Sequence, residues 1–141
     1  MINKVGVQPY LFFGGRCEEA LEFYKKTIGA EVQQLSRFKE SPEPMQGLPD
    51  CFDEKIMHAS VRVGDSTFMA SDGQCEGPPN FEGFSMSINV PNEAEAEHVF
   101  NALSQDGMVT MPLEKTFWTS KFGMLQDKFG VGWMVSVEHK P

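Results

Sequence analysis

The chain has 141 residues, with 20 Asp and Glu against 12 Lys and Arg, giving a formal net charge of -8. That length fits one domain with a real core, and 40% hydrophobic residues with 11% aromatics exclude a largely disordered chain. The acidic balance lacks the basic footprint that a nucleic acid or an anionic membrane needs, so neither is an expected partner.

Cys17, Cys51 and Cys75 are far apart and form no CxxC pair, which suggests reduced thiols in a cytoplasmic protein. No charged-then-apolar leader opens the sequence and no apolar run approaches a membrane span, so the expected address is the cytoplasm.

In chain order, "QPYLFF" (8–13) reads as a strand ended by Gly14-Gly15. "CEEALEFYKKTIG" (17–29) reads as a helix, with Cys17, Ala20, Leu21, Tyr24 and Ile28 on one stripe. Glu18 and Glu19 in its first turn and Lys25 and Lys26 near its end suit the macrodipole, and Gly29 suits the stop. "AEVQQLSRF" (30–38) follows as a strand. Residues 39–53 hold three prolines and mixed charges, a long loop that is a candidate lid or rim. "KIMHASVRVGDSTFMAS" (55–71) reads as a hairpin turning near Gly64-Asp65, and residues 72–83 have the composition of a linker.

The order then recurs. "FSMSINV" (84–90) is a strand, and Asn92 caps a helix with Glu95 completing a capping box. That helix brings Ala96, Val99, Phe100 and Leu103 onto one stripe and stops at Gly107. "MVTMPLEKTFW" is a strand, and "KFGMLQDKFGVGWMVSVE" a second hairpin turning through Gly130 and Gly132. The chain thus reads as two copies of strand–helix–strand–strand–strand. One helix covers one face of four strands, so the other face must meet a second copy, a partner or a ligand.

Ser85, Ser87 and Asn89 fall on that uncovered face, opposite Phe84, Met86, Ile88 and Val90. The run Ile56, His58, Ser60 and Arg62 is assigned to the same side of its own sheet, opposite Met57, Ala59, Val61 and Val63. A solvated sheet face is usually richer in Lys, Glu and Thr, so Ser-Ser-Asn suggests the lining of a hollow. A hydroxyl sealed in without a partner costs about 1–3 kcal/mol, so water or a ligand should satisfy these groups.

These segments resemble the vicinal oxygen chelate superfamily of glyoxalases, bleomycin-resistance proteins and extradiol dioxygenases. "PYLFFGGRCEEALEFYKKTIGAEV", "IMHASVRVGDSTFMASD" and "FWTSKFGMLQDKFGVGWMVSV" are similar to its PhnB-like branch, and the match spans nearly all of residues 8–138. The resemblance implies an α+β fold of two tandem βαβββ modules forming a curved eight-stranded mixed sheet. It would be a single domain over 1–141, with module 1 at about 8–72, a linker at 73–83 and module 2 at about 84–138. It also implies a homodimer with a small molecule bound in a cup. Superfamily enzymes hold a divalent metal by His, Gln or Glu on the first and last strands of both modules. Matching those positions falls on Pro9 and Ser85, near Ala70, and on Met134. None is a usual ligand for Mg, Mn, Ni, Fe or Zn, so no resident metal or other cofactor is expected. Some members of this branch carry the name of a ubiquinone-pathway methyltransferase. The sequence has no GxGxxG turn and no parallel α/β order to hold a nucleotide-like methyl donor.

Among three histidines, His58 is the candidate for ligand binding or proton transfer, against a histidine simply hydrogen-bonded in a sheet or interface. Trp118 and Phe122, with Phe117, are candidates for an aromatic wall, and Gln126 for an amide in the cup, alongside Ser85 and Ser87. Asp72 and Asp127 are assigned to turns, Trp133 to a place under a helix, Arg62 to a surface ion pair, and His98 and His139 to solvent. The leading expectation is a metal-free binder of a small organic molecule. The alternative is a metal-dependent lyase, isomerase or dioxygenase with a rearranged site around His58, drawing further ligands from Asp72, Gln8 or Glu138. A third reading makes the polar faces a dimer interface only.

Overall fold

Two amphipathic stretches and eight short alternating ones set the architecture. The computed structural model describes residues 5–40, 53–73 and 79–138, and the chain divides into two compact units, Met1–Pro79 and Asn80–Pro141. Cys51, Cys75, His139, most of the expected rim loop and part of the expected linker lie outside the described residues.

The first unit runs β1 (Tyr10–Phe12), α1 (Cys17–Ile28), β2 (Glu31–Arg37), one 3-10 turn (Phe38–Glu40), β3 (Ile56–Val63) and β4 (Ser66–Ser71). Its sheet has the order β1-β4-β3-β2, with β1 parallel to β4 and the other pairs antiparallel. The second unit runs β5 (Met86–Val90), α2 (Glu93–Leu103), β6 (Met108–Glu114), β7 (Phe122–Gln126) and β8 (Gly132–Val137). Its order, β5-β8-β7-β6 with β5 parallel to β8, repeats the first. The fold is therefore α+β, with eight strands in two four-stranded mixed sheets.

Each helix covers one face of its sheet. Beneath α1, Leu11, Phe13, Ala59, Val61, Phe68 and Ala70 are buried around Tyr24. The Tyr24 ring meets Phe13 at 6.2 Å and Phe68 edge-on at 6.3 Å. Each such large side chain contributes about 1.5–3 kcal/mol on burial. The α1 stripe is wider than the sequence pattern suggests: Phe23 and Thr27 are buried, whereas Ile28 is only half-buried. Thr27 fits because its hydroxyl donates to the Phe23 carbonyl at 2.9 Å. Beneath α2 lie Leu125, Trp133 and Val135.

The helix ends have separate causes. Gly29 ends α1 in the left-handed region, φ 68, and its N–H donates to the Tyr24 carbonyl. Asn92 caps α2 by accepting from the Glu95 N–H at 2.8 Å. The expected stop at Gly107 comes early: α2 ends at Leu103, and Asp106 takes the positive φ of 59. Gly107 is needed for another reason, since a Cβ there would stand 2.2 Å from the Gln126 carbonyl oxygen.

One facing assignment is corrected. Ile56 is fully buried and does not share the open face with His58 and Ser60. The register with β2 moves two residues on β3, from His58 to Ile56, for one on β2, from Ser36 to Arg37. That bulge reverses the alternation and turns Ile56 towards the core.

The N-terminus of α1 has no side-chain cap of its own at Arg16. Asp72 supplies it from the end of β4. Its Oδ1 accepts from the Gly15 and Cys17 N–H groups, both at 2.8 Å, and its Oδ2 from the Ile56 N–H at 2.8 Å. Asp72 is 1% exposed, so this is a buried structural carboxylate and not a turn or rim residue. Asp127 does similar work in the second unit, accepting from the Phe129 and Val131 N–H groups and from Trp133 Nε1. Asp127 thus holds its hairpin turn as expected, and also fixes the buried Trp133.

Asp72→Ala should lower the urea-unfolding free energy by at least about 3 kcal/mol, because two buried N–H groups and one part-buried one lose their acceptor. A loss under 1 kcal/mol, on the order of an exposed substitution, would contradict the assignment. A smaller effect is expected at Glu18, where a hydrogen bond from Arg37 holds the carboxyl below the usual carboxylate range. The folded state favours the ionised form, so the stabilisation is present above the ordinary value of 4.5 and lost as pH falls through the lowered one. Glu18→Gln should cost under about 1 kcal/mol at neutral pH, since the pair is exposed, and the difference should vanish in acid.

Candidate ligand-binding site

In the second unit the face turned away from α2 can be read row by row from the strand register. Ser87, Met134, Met124 and Met111 stand side by side across all four strands. Asn89, Ser136, Phe122 and Glu114 form the next row, and the Ser136 hydroxyl donates to Asn89 Oδ1. Gln126 lies between Gly132 and Met108 in a third, and Ser85 Oγ comes within 3.1 Å of where a Cβ on Gly132 would sit. Ser85, Ser87 and Asn89 are all exposed, while Met86 and Ile88 on the other parity are half-buried. The face is thus a thioether floor with hydroxyls along one edge. The sequence reading found the hydroxyls but not the floor, which is legible only once the pairing register is known.

The opposite edge is aromatic. Between β6 and β7, Thr116 and Thr119 close a turn: the Thr116 N–H donates to the Thr119 carbonyl at 3.0 Å. The Thr116 hydroxyl accepts from the Trp118 and Thr119 N–H groups, and buried Thr119 donates to the Val137 carbonyl at 2.7 Å. This turn holds Trp118 edge-on against Phe122, centroids 5.3 Å apart, and Phe117 against Trp118 at 4.8 Å. Phe122 is nearly buried under this contact, Trp118 is 43% exposed and Phe117 is 97% exposed. Gln126 is exposed on the same face, but its amide Nε2 is taken by the Gly130 carbonyl at 3.2 Å, leaving its oxygen free to accept.

In the first unit His58 is on the open face, half-buried and opposite Ser36. Its Nδ1 lies 3.0 Å from the Tyr10 hydroxyl, and Tyr10 stacks on Phe12 at 4.9 Å. Tyr10 and Phe12 were not singled out from the sequence. Their signal was the alternation of "YLFF", in which Leu11 and Phe13 are buried and Tyr10 and Phe12 are not. Arg62 is engaged by Glu31, directly across the strand pair, as the sequence reading assigned it. Cys17 is buried, and that burial, with Asp72 and Glu18 nearby, pushes its thiol far up, so it is no nucleophile.

The four positions matched to superfamily metal ligands divide by facing: Ser85 and Met134 share the parity of Ser87 on the second unit's open face. Pro9 shares the parity of the buried Leu11 and Phe13, and Ala70 is fully buried. The open-face pair in those strands is Tyr10 with Met69. The equivalent pair in the second unit is Ser87 with Met134. A phenol, a hydroxyl and two thioethers suit hard or borderline divalent ions poorly. Asp72, named for a rearranged site, has its oxygens committed to backbone N–H groups.

A family profile described as 3-demethylubiquinone-9 3-methyltransferase matches residues 5–136. The Escherichia coli (strain K12) protein YjdN is 35% identical over 138 residues, covering 93% of this chain and 94% of that one. The crystal structure of PA1353 from Pseudomonas aeruginosa is 43% identical with a TM-score of 0.84, covering 97% of this chain and all (100%) of that one. A Bacillus cereus PhnB protein is 28% identical with a TM-score of 0.77, covering 95% of this chain and 100% of that one. The fold alone is shared with a glyoxylase/bleomycin resistance protein/dioxygenase domain from Frankia sp. EAN1pec, at 12% identity and a TM-score of 0.64, covering 98% and 95% of the two chains.

Proposed function

The chain belongs to the 3-demethylubiquinone-9 3-methyltransferase family, a PhnB-like group with the glyoxalase/bleomycin-resistance fold, and on that premise we propose that it binds a small organic molecule without a resident divalent metal. The observation that carries the reading is the second unit's open face. There a floor of methionines is edged by Ser85, Ser87 and Asn89 on one side and by Trp118 and Phe122 on the other. Apolar area with a few placed polar groups is the general composition of organic-ligand sites. The first unit's sheet carries a polar pair of its own, His58 with Tyr10. The working form is a cytoplasmic homodimer.

Methyl transfer, which the family description names, finds little support in the residues present. The one glycine pair at a strand-to-helix turn, Gly14-Gly15, leads into α1, and the Gly15 and Cys17 amides there already donate to Asp72. A nucleotide-like methyl donor would need that kind of turn with its amides open.

Helices give no argument for a membrane partner, since among the described residues none is long and apolar enough to cross one.

Native mass spectrometry of protein purified without added ligand should show a dimer carrying a discrete organic mass. Elemental analysis after dialysis should find well under one divalent metal per subunit. One tightly held metal per subunit would overturn the proposal.

The Tyr10–His58 contact favours one other reading, an enzyme in which the imidazole moves a proton with the phenol as its partner. In that case His58→Ala abolishes turnover of the identified guest while the unfolding midpoint stays put. An unchanged rate removes this second reading and leaves binding alone.

A further inference from the structure

We propose that the aromatic edge of the second unit's open face is a subsite for a small organic cation, formed by Trp118, Phe122 and Glu114. The inference rests on the small-molecule reading above and narrows the chemistry of the guest.

Glu114 is the cross-strand partner of Phe122, three residues on from Met111 against two on β7, so a bulge in β6 brings Glu114 to the same face as Phe122. The opposite side is identified independently: Gly123 packs against Phe100 of α2 and against Leu113, which places the neighbours Phe122 and Glu114 on the uncovered side. Trp118 lies edge-on against Phe122, and its position is fixed by the Thr116–Thr119 turn. Two rings and a carboxylate are thereby brought to one corner of the face.

The carboxylate is uncompensated. Among the described residues Glu114 makes no ion pair and no side-chain hydrogen bond. The nearest lysines in sequence do not neutralise it: Lys121 is directed to Glu97 at 3.8 Å, and Lys115 makes no ion pair with it. Ring faces carry the negative part of the aromatic quadrupole, so Trp118 attracts the same sign of charge as Glu114. A net charge of -8 adds a long-range field that draws cations and repels anions. A bare metal ion is a poor fit, because it needs several converging donors and the corner offers one carboxylate. An alkyl or aryl ammonium fits, since it spreads its charge over carbon that the rings and the thioether floor can cover.

The test uses the full chain and two probes of nearly the same shape, phenyltrimethylammonium and its neutral isostere tert-butylbenzene, followed by NMR at the Trp118 indole N–H. The cation should bind about tenfold more tightly than the isostere. Glu114→Gln should bring the two probes to near parity, and Trp118→Ala should abolish the binding. Both residues are exposed, and circular dichroism of each variant checks that the fold is retained. Equal affinities in the unaltered protein would overturn the cation inference while leaving the small-molecule reading in place. So would a preference that survives Glu114→Gln. If neither probe binds, the cation inference also falls, and the broader reading then stands or falls on the native mass spectrum.

Discussion

The first unit depends on one buried carboxylate. Asp72 ties the end of β4 to the start of β3 and to the N-terminus of α1, through three backbone N–H groups on two other segments. A charged acceptor shared among N–H donors in a dry setting is stronger than a neutral one, and leaving those donors bare is costly. Geometry follows from it. Gly15 and Cys17 fix how the chain leaves β1, and Ile56 fixes where β3 begins, the two strands that carry Tyr10 and His58. Asp127 plays the corresponding part at the β7–β8 turn, where it also anchors Trp133.

With the sheets fixed in this way, each has two faces with different duties. The covered face packs against its helix, around Tyr24 of α1 in the first unit and around Trp133 in the second, and supplies the stability. The other face carries hydroxyls, an amide, thioethers, rings and, in the first unit, an imidazole. The duplication of one βαβββ plan gives two such faces, but their chemistry differs: a phenol–imidazole pair in the first, hydroxyls and methionines in the second.

Much of this was legible in the sequence because local patterns carried it. Alternation in "FSMSINV" and the stripes of the two helices led directly to the element order, and Asn92 announced its helix. What stayed hidden depended on contacts distant in sequence. Asp72 looked like a turn residue because its partners lie 55 and 57 positions away, at Cys17 and Gly15. Ile56 was placed on the wrong face because a bulge breaks the alternation on which the assignment rested. The methionine row is invisible until the register aligns Met111, Met124 and Met134, three residues on three strands. Trp118 and Phe122 were singled out as rings, but Glu114 beside them was not, since cross-strand neighbours cannot be read from a single strand.

For the guest proposed above, the thioether row bears on selectivity. Methionine has three freely turning side-chain torsions and a polarisable sulfur, so a floor built from it remoulds to the outline of whatever rests there. Such plasticity gives broad tolerance of shape and little power to reject a near-analogue. Discrimination would then fall to the margins, where the Thr116–Thr119 turn holds Trp118 against Phe122 and Ser136 is bonded to Asn89. A family that varied those margins while keeping the soft base could change its clientele without rebuilding the sheet.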